Sequence, residues 1–180
     1  GGASGGMFRS EDGGQSWVMT TDPNQLHNVT CVSQDRRVGK EHIWYFGSGE
    51  LTGSSASAGG AYYGGNGIYK SLDGGLSWDS LSFTATNTNN FDSNFDYIWN
   101  IETDPSNDSL DVVYAATYGA IYRSEDGGDT WVKQLGGNTY YNNIEVSSNG
   151  VVYATLSSDG LDRGIWTSLD GQNWTNITDS

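Results

Sequence analysis

Two kinds of chemistry can be sought first in this 180-residue sequence: paired carboxyl groups and clustered aromatic rings. Glu50, Asp92, Asp96, Asp159 and Asp162 fall in segments rich in Gly, Ser and Asn. Cleavage of a glycosidic bond needs two carboxyl groups roughly 5–10 Å apart, and this group of acids could supply such a pair. Tyr62–Tyr63 and Tyr140–Tyr141 are adjacent aromatics, and Phe91 and Phe95 flank acids. Rings beside Asn, Asp and Ser would stack on sugar rings or grip a peptide, or they would fold back to pack their own loops. Asp92–Ser93–Asn94–Phe95–Asp96 alternates oxygen ligands as a calcium loop does. Tyr97 replaces the glycine of that loop, Thr103 stands where its bidentate Glu would be, and an ordinary Asx-turn loop is the competing reading. His27 and His42 lack the spacing of a metal motif, so no metal or cofactor is expected beyond that calcium alternative.

The elements that must position these residues come from a repeat. SEDGGQSW at Ser10–Trp17, SLDGGLSW at Ser71–Trp78, SEDGGDTW at Ser124–Trp131 and a shortened SLDGQNW at Ser168–Trp174 each lie between short alternating apolar runs, a hairpin signature. In each copy the Asp can accept backbone N–H groups two or three residues ahead, the Ser can assist, and Gly permits positive φ where the chain reverses. Asp12, Asp73, Asp126 and Asp170 are therefore read as turn-holding rather than catalytic, and Trp17, Trp78, Trp131 and Trp174 as apolar anchors. Reading outwards from the turns gives four-strand units. Residues 1–22 hold the last two strands of one unit, Met7–Arg9 and Trp17–Thr20, and units follow at 23–82, 83–136 and 137–180. Four short strands at this period predict an all-β fold, a β-propeller of antiparallel four-stranded blades, about three and a half blades in an incomplete ring. The Ser-x-Asp-Gly turns and the loops Gln34–His42, Asp104–Asp111 and Ser148–Gly150 are expected at one end. The longer Gly49–Gly67, Ser82–Tyr97, Gly136–Asn143 and Ser157–Gly164 are expected at the other, where long loops carry function.

The turns resemble the Asp-box, or bacterial neuraminidase repeat, of sialidases, sortilin-like receptors, two-propeller xyloglucanases and many secreted bacterial propellers. The match is strong in three copies and weaker in Ser168–Trp174, which lacks one residue. The resemblance implies a turn between the third and fourth strands of a blade. Trp44–Ser71 is similar to sortilin-like and related secreted propellers, where Gly-x-Gly-Glu leads through a Gly/Ser-rich loop to Gly-Ile-Tyr-Lys-Ser. That likeness singles out Glu50, either as an acceptor for a ligand or as a cap for the loop's own amides. The xyloglucanase likeness extends to Asp104–Pro105 and Val113–Thr117, but no stretch matches their catalytic acids. A sialidase would need three converging arginines. Arg9 and Arg123 precede turns, Arg36 and Arg37 lie at the turn end, and only Arg163 is near the long loops, so these are read as solvated charges.

The formal charge of −14 argues against nucleic acid or an anionic membrane as partner. No window is apolar enough to span a membrane. The one cysteine, Cys31, is read as a small buried residue. The chain opens with Gly1 and runs at once into a turn, so it is read as beginning inside a fold. The rest of a larger polypeptide, or a second chain, would complete the ring. The sequence is read as a secreted or cell-surface, non-catalytic recognition or scaffold segment that binds glycan or peptide at the long-loop face through Glu50, Tyr62, Tyr63, Phe91, Phe95, Tyr140, Tyr141 and Asp162. The alternatives are part of a xyloglucanase-like glycoside hydrolase and a purely structural array. Similar propellers occur in exported bacterial proteins, including cargo of the type IX secretion system, an analogy only.

Overall fold

The computed structural model describes residues 5–25, 28–53, 61–88, 90–157 and 162–178, and only the backbone of residues 52, 53, 61, 62 and 138. His27 and Asp159 therefore lie outside the described residues, as does the side chain of Tyr62. Three antiparallel four-stranded sheets follow one another along the chain. The first contains β3 (Val29–Gln34), β4 (Trp44–Ser48), β7 (Ile68–Ser71) and β8 (Asp79–Ser80). The second runs β9 (Ile98–Thr103), β10 (Val113–Thr117), β11 (Gly119–Ser124) and β12 (Val132–Thr139). The third runs β13 (Asn142–Val146), β14 (Val152–Leu156), β15 (Gly164–Ser168) and β16 (Thr175–Asn176). A two-stranded sheet, β1 (Phe8–Arg9) with β2 (Val18–Met19), precedes them. The fold is an all-β, incomplete β-propeller, with β3, β9 and β13 side by side as the inner strands.

Two parts of the expected loop face are strand instead. Glu50–Gly53 (β5) and Ala61–Tyr63 (β6) form a hairpin in which Glu50 pairs with Tyr63. Within Gly136–Asn143, β12 continues to Thr139 and β13 begins at Asn142, leaving only Tyr140–Tyr141 as connection. Gly136 adopts φ of 85°, and a register shift lies between Gly119 and Ile121, so β12 regains pairing where the alternating pattern ends.

The cores lie between blades, so second strands are buried on both faces. On β4, Tyr45 faces the core shared with the next blade (Ile68, Leu81, Ile98, Val113, Trp131). Its neighbour Phe46 faces the core shared with the β1–β2 hairpin (Met7, Tyr69, Trp78). On β10, Ala115 enters the former core, and Tyr114 and Ala116 enter a third one with Ile144, Val152 and Leu156. Cys31 packs against the first core, and burial pushes its thiol up to about 12. On β14 burial alternates instead: Val152, Ala154 and Leu156 are covered while Tyr153 is 45% exposed. Thus Tyr45, Tyr114 and Tyr153 share one place in the repeat, but only the first two have a blade beyond them.

Each turn satisfies itself. The Ser124 hydroxyl donates to Asp126 Oδ1 at 2.7 Å and accepts the Gly128 N–H at 2.8 Å. Asp126 then accepts the Thr130 N–H at 2.9 Å and the Thr130 hydroxyl at 2.6 Å. The same bonds recur around Asp12, Asp73 and Asp170, the last with Asn173 in place of the hydroxyl residue. Gly127 and Gly128 adopt φ of 73° and 103°, values that L side chains rarely adopt. The Ser77 hydroxyl and amide, then Ser71, hold the Asp73 carboxyl at about 2. Partial burial opposes the same effect at Asp126, but hydrogen bonds from Thr130 and Ser124 prevail and hold it at about 2. Asp12, bonded first by Ser16, and Asp170, bonded first by Asn173, lie well below the usual carboxylate range.

Asp126→Asn should lower unfolding stability by about 1 kcal/mol near neutral pH, the net worth of a charge-assisted bond in a solvent-screened turn. Because the folded carboxyl sits below its ordinary value of 3.8, this difference should be full above about pH 4 and vanish as the pH falls towards about 2. Denaturant titrations of both proteins across that range provide the check.

Candidate functional site

At the end opposite the turns, aromatic rings meet from three segments. Phe91, from the loop before β9, contacts Tyr118 edge-on at 4.9 Å and Tyr97 at 5.3 Å. Tyr118 contacts Tyr140 edge-on at 5.5 Å, and Trp99 packs on Tyr141 at 5.1 Å. Phe91, Tyr140 and Tyr141 keep about half of their surface exposed. The Tyr118 phenol is raised first by burial and then by the neighbouring Tyr140 phenol. The segments are held here by backbone bonds, from the Tyr118 N–H to the Tyr97 carbonyl at 2.8 Å and from the Ser157 N–H to the Tyr141 carbonyl at 3.1 Å, and the Tyr141 N–H also donates to the Ser157 hydroxyl at 3.0 Å.

The loop between blades is ordered by a capped 3-10 turn, Asn94–Asp96. Ser93 accepts the Phe95 N–H, and Asp96 Oδ2 accepts the Asp92 and Ser93 N–H groups at 2.8 Å. Asp96 is 1% exposed, and burial raises its carboxyl despite those two amides. It thus serves the turn rather than presenting itself to solvent. Phe95, placed among ligand candidates on sequence, is 4% exposed and packs on Tyr122 and Trp131, so its ring offers no face to a ligand. Phe95 belongs to the core shared by two blades, with Ile68, Leu81 and Trp131. Among the described residues no three His, Cys, Asp or Glu side chains gather as a metal site.

The remaining candidates are dispersed. Glu50 and Tyr63 pair across the β5–β6 hairpin, and Tyr62 lies on β6. Asp162 is exposed, its carbonyl accepting the Trp166 indole N–H at 2.8 Å. Several buried polar atoms at this end have no protein partner: Glu50 Oε2, Asp96 Oδ1, Trp99 Nε1, Thr139 Oγ1 and Asn142 Oδ1. Those of Trp99, Thr139 and Asn142 belong to residues within or adjoining the aromatic path. Buried groups left unpaired are costly.

Two features escaped the sequence reading. Glu102 on β9 is half-buried, and its carboxyl is raised to about 7, first by burial, then by the negative charge of Glu145 on β13, with Arg36 and Asn100 opposing. Nothing in IWNIET marks it, because the acid facing it comes from another blade. Arg37 and Arg123, read as solvated charges, are each 8% exposed. Arg37 pairs with Asp35 and with Asp111 at 2.7 Å, and donates to the Asn107 and Leu110 carbonyls at 2.8 Å, tying two blades together. Arg123 donates to the Tyr114 hydroxyl at 3.3 Å and pairs with Glu125. Neither is available for a converging carboxylate site.

Blades, inner strands and interblade cores together define a β-propeller segment. The particular proteins it is similar to are carbohydrate-active. It is 28% identical to a xyloglucanase of a Paenibacillus species over 97% of this chain and 18% of that protein. It is likewise 28% identical to a xyloglucanase of Acetivibrio thermocellus over 97% of this chain and 22% of that protein. The chain thus spans about a fifth of the length of these relatives. Among solved structures it is similar in fold to a Niastella koreensis GH74 enzyme (TM-score 0.52, 18% identity, 98% of this chain and 34% of that one). It is also similar to the GH74 xyloglucanase of Xanthomonas campestris (TM-score 0.50, 16% identity, 98% and 35%). No family model matches. These relatives leave the sortilin-like resemblance without support.

Glu102 titrates above its ordinary 4.5, so its folded form favours the proton. Stability drawn from that preference is full below about pH 4.5 and is lost as the pH rises through about 7. Glu102→Gln should therefore gain stability relative to the parent between those limits and hold a constant difference above them. Unfolding midpoints from pH 4 to 8 give the result.

Proposed function

We propose that this chain is part of a secreted propeller glycoside hydrolase acting on a xyloglucan-type polysaccharide, and that its long-loop end is a binding platform for the glycan chain. The observation that carries the reading is the path Phe91–Tyr118–Tyr140 with Trp99–Tyr141 beside it, half-exposed rings next to buried polar atoms without partners. Sugar rings present an apolar face, and the half-exposed rings of Phe91, Tyr140 and Tyr141 match it. The xyloglucanase relatives favour this enzyme reading over the non-catalytic scaffold read from sequence, and they give a peptide partner no support. In this reading Asp96, Glu50 and Asp162 do not make the reacting pair: Asp96 caps a turn, Glu50 lies in a hairpin and Asp162 is exposed elsewhere. The carboxyl groups that cleave the bond then belong to the rest of the polypeptide, and this segment orients the chain for them.

Tyr140→Ala combined with Phe91→Ala should weaken xyloglucan oligosaccharide binding by the full-length protein at least about fivefold, each ring contributing roughly 0.5–1.5 kcal/mol. In turnover the loss should fall on KM more than on kcat, because the rings bind ground and transition states alike. Calorimetric titration and initial rates provide the data. Unchanged affinity in a folded double variant removes the platform.

A further inference from the structure

Asn and Asp side chains can be attacked by the backbone nitrogen of the next residue, and a following Gly, having no Cβ, leaves that attack unhindered. The described residues include such pairs at Asn66–Gly67, at Asn149–Gly150 and in the four turns at Asp12, Asp73, Asp126 and Asp170. The turns are closed to it. Each turn Asp has both carboxylate oxygens bonded by the residues ahead of it. Those bonds also keep the carboxyl ionised, at about 2 for Asp73 and Asp126, and an ionised carboxylate has no group that an amide nitrogen can displace. Asn66 is closed too. It is 8% exposed, its Oδ1 accepts the Asn87 N–H at 2.8 Å, its Nδ2 donates to Asn87 Oδ1 at 3.1 Å, and its own N–H donates to the Ser48 hydroxyl at 2.9 Å. Its carboxamide cannot turn towards Gly67 without breaking the bonds to Asn87.

Asn149 is different. It stands exposed in the turn between β13 and β14, where the Ser147 hydroxyl donates to Asn149 Oδ1 at 2.6 Å. That bond draws electron density from the amide carbon and leaves Nδ2 to water. The Gly150 N–H is held by one bond, to the Ser147 carbonyl at 3.0 Å, in a surface turn of the kind that opens readily.

We infer that Asn149 is a site of spontaneous deamidation, and that the change acts on the seam between the second and third blades. Hydroxide takes the Gly150 amide proton, the nitrogen attacks Asn149 Cγ, a C–N bond forms, and the C–NH2 bond breaks as ammonia leaves with a proton from water. Water then opens the cyclic imide at either carbonyl, giving aspartate or isoaspartate. Gly150 is itself a seam contact: at φ of 81° it lies so close to the blade before it that a Cβ would come within 2.2 Å of the Ser106 Oγ. Isoaspartate lengthens the main chain by one methylene and moves Gly150 out of that contact. Either product adds a carboxylate to an interblade cleft of about 520 Å³ that already holds Asp104, Asp108 and Asp170, and whose Arg123 is paired with Glu125. The inference does not rest on the glycan platform.

The full-length protein, folded and in denaturant, is held at mildly alkaline pH, and Asn149, Asn66 and the turn aspartates are followed by peptide mass mapping with isoaspartyl methyltransferase labelling. In the folded protein Asn149 should convert at least ~10-fold faster than Asn66, and in denaturant the two rates should converge. An Asn149 no faster than Asn66 in the folded protein, or a turn aspartate isomerising as fast, overturns the assignment. Protein carrying the change, separated from the parent by its added negative charge, should unfold at a lower temperature and exchange the Ser106 and Gly150 amides faster. An unchanged midpoint and unchanged exchange overturn the effect on the seam.

Discussion

The structure depends on the carbonyl that two of its hairpin turns, at Gly74 and Gly127, offer to the blade before. Gly127 gives its N–H to the Asp111 carbonyl of its own blade and its C=O to Lys70 and Tyr45 of the blade before. The two bonds use the peptide groups on either side of Gly127, whose positive φ sets their relative orientation and whose turn the Asp126 carboxylate holds by accepting the Thr130 N–H and hydroxyl. The turn is therefore the joint between blades as well as the reversal within one. It explains why Asp, Ser and Gly recur together while the intervening loops vary. It also explains why a cation precedes the Ser in three of the four copies, as Arg9, Lys70 and Arg123. Thr167 holds that place in the last blade, beside the exposed Tyr153.

Because the turn end is occupied by joints, its charges are structural. Arg37 and Asp111 bridge blades there, while Arg9 binds the Gly74 carbonyl and Lys70 the Gly127 carbonyl. The opposite end has its own interblade bonds, from the Gly65 N–H to the Asp96 carbonyl at 3.0 Å and from the Asn142 side-chain amide to the Thr117 carbonyl at 2.6 Å, and its connections carry rings. Tyr140–Tyr141 is held by strands on both sides, so the aromatic platform rests on rigid elements rather than on a long loop.

Much of the fold was legible because each turn states its own hydrogen bonding in adjacent residues, and because the apolar runs beside it alternate. The strand order, the pairing within sheets and the role of Asp126 follow from that local information. The joints did not, since the partners of Gly127 lie 57 and 82 residues away in sequence. Arg37 looked like a loop charge for the same reason, and Glu102 like an ordinary strand residue, each being defined by a neighbour in another blade. Phe95 and Phe91 stand four residues apart with similar flanks, yet a 3-10 turn sends the first into the core and leaves the second half-exposed. The xyloglucanase likeness was visible in the turns, whereas a glycan platform needed the placement of Tyr118 against both Phe91 and Tyr140.

The joint is tested most directly by a double-mutant cycle between Asp126→Asn, which loosens the turn, and Lys70→Met, which removes a donor from the blade before it. Asp126 and Lys70 share no hydrogen bond, so beyond the screened attraction of their charges a coupling arises through the orientation of the Gly127 carbonyl. Unfolding free energies should be non-additive by at least about 0.5 kcal/mol, with the second substitution costing less once the first is present. Strictly additive losses would mean that the turn and the blade contact are independent, and would contradict the account.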